Sequence, residues 1–184
     1  SIPHLIAGND LLGIAQTGTG KTAAFVLPIL QELTAATNYQ PKAGHPRALI
    51  LAPTRELAIQ IGDSIQVYSK FLSINSTTIF GGVSQNKQIA ALIRGVDIVV
   101  ATPGRLLDLY RQGHLKLKEV SSLVLDEADE MLDLGFLPDV EKIFTSTPKR
   151  SQTMLFSATM PGDILSLARR FMNQPVHIRT QVHE

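Results

Sequence analysis

Short apolar runs alternate with amphipathic stretches along the whole 184-residue chain. Seven of the runs read as strands: Asp10–Ala15, Arg47–Ala52, Thr77–Phe80, Asp97–Ala101, Leu123–Asp126, Thr153–Ser157 and Val176–Arg179. Near-continuous apolar runs such as Ala48–Ala52 and Asp97–Ala101 suit strands covered on both faces, hence a mainly parallel sheet. The stretches between them have helical spacing. From Glu56 to Leu72 the apolar positions Leu57, Ile61, Ile65, Tyr68 and Leu72 share one face, and after Pro161 so do Ile164, Leu167, Ala168 and Phe171. Pro28 interrupts the helix expected after Lys21, which predicts a kink or an early stop. Thr34–Pro46 is polar, with two prolines and a glycine, and reads as a long surface loop. Strand and helix alternating at this density predict a doubly wound α/β sheet with helices on both faces. Ligands in that architecture sit beyond the carboxyl ends of the strands.

Composition narrows the class without naming it. At 44% hydrophobic the chain can bury one core, and residues 1–184 are expected to form one domain. A formal net charge of +1 gives no general attraction to nucleic acid or membrane, so any such contact must come from locally placed groups. Without cysteine there are no disulfides or thiolate metal sites, as suits a reducing compartment. No apolar run has the length of a membrane span, and the five histidines have no metal-ligand spacing. Lys149–Arg150 and Arg169–Arg170 read as solvated surface. The chain opens at Ser1 without Met and enters a strand pattern almost at once, which reads as a piece of a longer protein.

Two segments carry chemistry. Ala15, Gln16, Thr17, Gly18, Thr19, Gly20, Lys21 and Thr22 spell AQTGTGKT between a strand and a helix. Gly18 and Gly20 let backbone N–H groups turn inward around phosphates, and Lys21 supplies a cation to the β and γ phosphates. The Thr22 hydroxyl suits magnesium, and the helix N-terminus faces the anion. The general pattern G-x-x-x-x-G-K-[ST] has glycine where this chain has Ala15; alanine fits if its φ stays negative, as at a strand end. The second segment, Asp126 to Asp129 (DEAD), follows the run Leu123–Leu125. There Asp126 can hold magnesium and Glu127 can orient or deprotonate an attacking water. Acidic residues favoured by a helix dipole are the plainer account of the same letters.

With PTRELA at Pro53–Ala58, the Gly81–Gly82 pair, TPGR at Thr102–Arg105 and SAT at Ser157–Thr159, six motifs stand in one order. In these the chain resembles the first, N-terminal RecA-like domain of a DEAD-box RNA helicase, bacterial members in particular, over essentially its whole length. The resemblance implies a cytoplasmic, ATP- and Mg2+-dependent RNA helicase with Lys21, Asp126 and Glu127 in catalysis. It implies an RNA-backbone surface of Pro53, Thr54, Arg55, Gly81, Gly82, Thr102, Pro103, Gly104 and Arg105. It also implies a coupling element in which Ser157 and Thr159 bond Asp129. Thr54 and Thr102 each follow a strand and are expected to cap a helix, with Arg55 and Arg105 adding charge beside the helix ends. The family's adenine-recognition segment is expected before residue 1 and its second RecA-like domain after residue 184, so the piece alone should be monomeric and nearly inactive. A nucleotide-switched RNA clamp or scaffold for remodelling RNA–protein complexes would use the same motifs.

Overall fold

The computed structural model describes residues 8–15, 19–36 and 39–179. Seven strands appear where the apolar runs place them: β1 (Leu11–Ile14), β2 (Ala48–Leu51), β3 (Ser76–Ile79), β4 (Ile98–Ala101), β5 (Ser122–Leu125), β6 (Gln152–Ser157) and β7 (Val176–Arg179). They form one sheet in the order β3-β4-β2-β5-β6-β1-β7. All six pairings are parallel. The helices between them are α1 (Thr19–Ala35), α2 (Arg55–Tyr68), α3 (Asn86–Arg94), α4 (Pro103–Arg111), α5 (Ala128–Asp133), α6 (Leu137–Thr145) and α7 (Gly162–Phe171). This is a RecA-like doubly wound architecture, as expected.

Alternation along the strands explains why two layers of helices are needed. Leu49, Leu51, Val99, Leu123 and Leu125 pack on one face with Leu106, Leu107, Ile143 and Leu167. Ala48, Ile50, Ile98, Val100 and Val124 pack on the other with Phe25, Ile29, Ala58 and Ile61. Neither face could stay open to water. Register also fixes where the strands stop: Ile79, Ala101, Leu51, Leu125 and Leu155 are neighbours in turn across five strands. The motifs after β2, β3, β4 and β5 begin one or two residues beyond that row, SAT begins at the last residue of β6, and Ala15 follows β1.

Four local expectations change. Pro28 does not stop α1, which runs through it to Ala35. Phe25, Val26, Ile29, Leu30 and Leu33 are all buried against the sheet, and that packing outweighs the missing hydrogen bond. Accordingly the loop begins after α1, two residues later than Thr34; the Thr34 hydroxyl instead bonds back to Leu30 O at 2.9 Å within the helix. The helix expected to reach Leu72 ends at Tyr68: Tyr68, Phe71 and Leu72 are all exposed, so no burial holds a further turn, and the Ser69 hydroxyl shares Ile65 O with its own N–H at the helix end. Finally, Arg150 is no solvated charge, although its neighbour Lys149 is, in an exposed pair with Glu119. Arg150 Nη1 donates to Phe144 O, Thr147 O and Thr147 Oγ1; Nη2 donates to Phe171 O, and Nε to Thr153 Oγ1. One guanidinium thus satisfies carbonyls at the ends of α6 and α7 and clips both to β6.

Arg150→Ala is expected to lower stability by about 2–4 kcal/mol, because several acceptors lose their donor together. Lysine should not rescue it, since an ammonium cannot span carbonyls on two helices. Urea unfolding midpoints of the three proteins measure this.

Candidate active site and the adjoining loop surface

The Asp126 N–H donates to Leu51 O at 2.9 Å, which seats Asp126 as the first residue beyond β5. Its side chain is fully buried, at 0% exposure. Lys21, in the first turn of α1, reaches it with Nζ 2.8 Å from Oδ1. Oδ1 also accepts the Glu127 N–H at 2.9 Å. Asp126 Oδ2 is buried and has no partner among the described residues. Burial pushes this carboxyl above the usual range, against the Lys21 charge and the two hydrogen bonds. Glu127 then adopts φ 50° and ψ 51°, the left-handed region. A residue with a side chain is uncommon there, and such strain costs on the order of 1–3 kcal/mol. Its carboxyl is raised by burial and next by the Asp126 charge, with Lys21 opposing.

Lys21, Thr22, Asp126 and Glu127 line one cleft of about 570 Å³, whose other wall is Thr54 and the first turns of α2, including Glu56 and Gln60. Beside it, Ala15 donates its N–H to Ser157 O at 3.1 Å, and it is not among the residues with positive φ. Alanine therefore fits where the general pattern has glycine. A Cβ at Gly20 would meet no atom within 4 Å, so nothing inside the protein demands glycine there. Thr19 opens α1; Gln16, Thr17 and Gly18 lie outside the described residues. The donor set fits a hard divalent cation: one buried carboxylate oxygen still lacks a partner, and the Thr22 hydroxyl is on the same wall. Among the described residues no group of three His, Cys, Asp or Glu could hold a metal unaided. A cation here would share its shell with water and phosphate oxygens, the habit of Mg2+.

At the neighbouring strand end Ser157 Oγ accepts the Asp129 N–H at 3.1 Å. Thr159 donates its N–H at 3.2 Å and its hydroxyl at 2.9 Å to Asp129 Oδ2. The expected bonding between SAT and the acidic box is present. Burial works against the Asp129 charge, but the Thr159 and Ser157 hydroxyls and the N–H groups of Glu130 and Thr159 outweigh it, holding the carboxyl below its ordinary range.

The three remaining motifs follow β2, β3 and β4, which are adjacent in the sheet, so they stand side by side. Thr54 caps α2 through Leu57 N–H at 3.2 Å. Thr102 holds the corresponding position before α4 with extended backbone, but its side chain makes no capping bond, contrary to expectation. Pro103 occupies the first turn of α4 and is buried, like Pro53, so neither offers a side chain to a ligand. Gly104 is exposed. Gly81 and Gly82 are exposed; Gly82 has φ +80°, which glycine alone adopts freely, whereas a Cβ at either would meet nothing within 4 Å. Arg55 is exposed, its guanidinium 4.8 Å from the centre of the Phe80 ring. Arg105 is already engaged: Nη1 donates to Gln88 Oε1 at 3.1 Å and Nη2 to Val83 O at 2.8 Å. Gln88 gave no signal in the sequence, since its partner is 17 residues away. A larger hollow of about 670 Å³ beside Phe80 and Gln88 is mainly apolar. The charged side chains gather in the smaller cleft, with Lys21, Glu56, Asp63, Asp126 and Glu127 among its lining.

A parallel α/β sheet whose strand-to-helix lysine meets a buried aspartate across its carboxyl edge defines a RecA-like protein of the phosphate-loop class. The chain belongs to the DEAD/DEAH box helicase family, whose model matches residues 1–167. It is 51% identical over 98% of its length to the ATP-dependent RNA helicase DeaD of Escherichia coli, covering 28% of that protein. It is 47% identical over its full length to the DEAD-box ATP-dependent RNA helicase CshA of Bacillus cereus, covering 34%. The crystal structure of a DEAD box protein from Methanococcus jannaschii matches with a TM-score of 0.86 at 41% identity, over 98% of this chain and 48% of that one. A hypothetical ATP-dependent RNA helicase from Sulfolobus tokodaii gives 0.87 at 36% identity, over 97% and 50%. The chain thus spans about a third or less of these curated relatives.

The hydrogen bonds to ionised Asp129 give stability present above the unfolded carboxyl's pKa of about 3.9 and lost as pH falls through the lower folded value. Asp129→Asn should therefore unfold at lower urea than wild type at pH 6, and the gap should narrow as pH falls below the unfolded carboxyl's range. Urea midpoints taken from pH 2.5 to 6 would show it.

Proposed function

We propose that this chain is the ATP-binding part of an ATP-dependent RNA helicase, hydrolysing ATP with Mg2+ and contacting the RNA backbone. The observation that carries the reading is the buried Asp126, paired with Lys21 through one oxygen and holding the other without a partner in a cleft walled by Thr22 and Glu127. Lys21, beside the phosphate loop, places its ammonium where β and γ phosphate oxygens would lie. Thr22 and Asp126 would hold Mg2+, which neutralises developing charge on the phosphates. Glu127, its carboxyl raised by burial and poised by its left-handed backbone, orients the attacking water and takes its proton. Glu127 is thus the base, and Lys21 and Asp126 the electrostatic part of catalysis. Ala15 to Thr22 cradle the nucleotide.

The RNA surface is the row of Thr54, Arg55, Gly81, Gly82, Thr102 and Gly104 beyond three adjacent strands. Backbone N–H groups at helix starts and one exposed arginine recognise phosphates rather than bases. Ser157 and Thr159 hold Asp129, and Ser157 O also holds the Ala15 N–H beside the phosphate loop, a linkage through which the nucleotide state would be passed on. The relatives' greater length accommodates a second domain that would close over both ligands. Among the described residues no helix is long and apolar enough to cross a membrane, and a cytoplasmic setting is part of the proposal.

In the full-length protein Glu127→Gln is expected to keep ATP affinity and lose turnover by about 10²-fold or more, because only water activation is removed. Steady-state hydrolysis beside nucleotide titration decides this, and near-normal turnover would assign the water to another group. Arg55→Ala should weaken unrelated single-stranded RNAs alike and lower the salt slope by about 0.7, one phosphate contact's share. Titrations of two sequences at several salt concentrations test it; loss confined to one sequence would mean that Arg55 reads a base.

A further inference from the structure

Gly81 and Gly82 can offer backbone to RNA only if their loop holds its shape, and among the described residues no regular element supports it. A set of three hydrogen bonds does. Gln88, buried at 7% exposure in α3, donates Nε2 to Phe80 O at 3.0 Å, on the residue before the glycine pair. Its Oε1 accepts Arg105 Nη1 at 3.1 Å, and Arg105 Nη2 donates to Val83 O at 2.8 Å, on the residue after the pair. Both carbonyls flanking Gly81–Gly82 are therefore gripped from one side by two side chains joined to each other. Gly82 needs its φ of +80° for the turn, and the space above both glycines is open.

We propose that Gln88 is a positioning residue for RNA binding, and that Arg105 acts mainly with it, clasping the Gly81–Gly82 loop rather than holding a phosphate. This rests on the RNA reading above. It replaces the expectation that Arg105 is simply a second phosphate-binding cation like Arg55. The two arginines differ in what they have left to give: Arg55 is exposed beside one aromatic ring, whereas the Arg105 fork is directed at two protein acceptors.

The test uses full-length protein with Gln88→Met, which keeps length and apolar bulk inside α3, and Arg105→Met, which cuts the clasp from the other end if the first variant folds poorly. Each is expected to raise the RNA concentration for half-maximal ATP hydrolysis about fivefold, the worth of a neutral hydrogen bond, with kcat and the KM for ATP unchanged. The salt slope for single-stranded RNA should stay at the wild-type value in both, in contrast to Arg55→Ala. The double variant should cost no more than the worse single one, because the residues act as a unit. An additive double variant, a slope lowered by about 0.7 in Arg105→Met, or unchanged half-saturation in either would overturn the proposal. Wild-type protein that does not bind RNA would fail at the first titration, and would overturn the RNA reading itself.

Discussion

The ion pair between Lys21 and Asp126 is the constraint from which the site follows. An aspartate at 0% exposure loses several kcal/mol of hydration, and a single lysine contact plus one backbone N–H repay it only in part. The pair is therefore poor as a device for stability. Under the proposed function it is an arrangement of charge awaiting a larger partner, in which a polyphosphate would draw the lysine and a divalent cation would take the carboxylate oxygen left over. For the two side chains to meet, the start of α1 and the end of β5 must arrive at one place, although β6 lies between β1 and β5 in the sheet. The shared strand register supplies that alignment.

The same edge produces the second surface by different means. Beyond β3, β4 and β2 the side chains matter less than the backbone, which is presented at two helix starts and one glycine turn. Helix N-termini recognise anions without regard to what the anion is attached to, so the proposed RNA contact at this surface would be indifferent to base identity. What needs side chains is the support: Thr54 caps its helix, and Gln88 with Arg105 braces the turn. The nucleotide cleft and this surface thus use residues oppositely, charges in one and main chain in the other.

Much of this was legible beforehand. The strands showed because a sheet covered on both faces needs apolar residues at consecutive positions, a requirement confined to a few neighbouring letters. The motif residues showed because phosphate chemistry limits which residue types can stand together. Helix ends were less legible: α1 continues through Pro28 because five buried side chains hold it to the sheet, and α2 stops at Tyr68 where the apolar side chains that follow are left exposed. Arg150 was misread as surface, and Gln88 passed unnoticed, for one reason. Phe171 O lies 21 residues from Arg150 and Arg105 lies 17 from Gln88, partners that only the fold brings near, and the nearer acceptors are carbonyls and hydroxyls that form no pattern in the letters. The left-handed backbone of Glu127 was equally hidden, since its neighbours there are ordinary helix-forming letters.

β6 is six residues long where its neighbours have four, and it overruns Leu155, the neighbour of Leu125, by two residues. Its final residue, Ser157, accepts the Ala15 N–H on its carbonyl and the Asp129 N–H on its hydroxyl. A single residue is therefore shared by the segment that would feel phosphate and the segment that leads to Thr159. Hydrogen bonds tolerate only a few tenths of an ångström before they weaken. Ala15 and the start of α5 consequently cannot shift apart without weakening one of these bonds: geometrically they are two ends of one short crossbar, with Ser157 as its pivot.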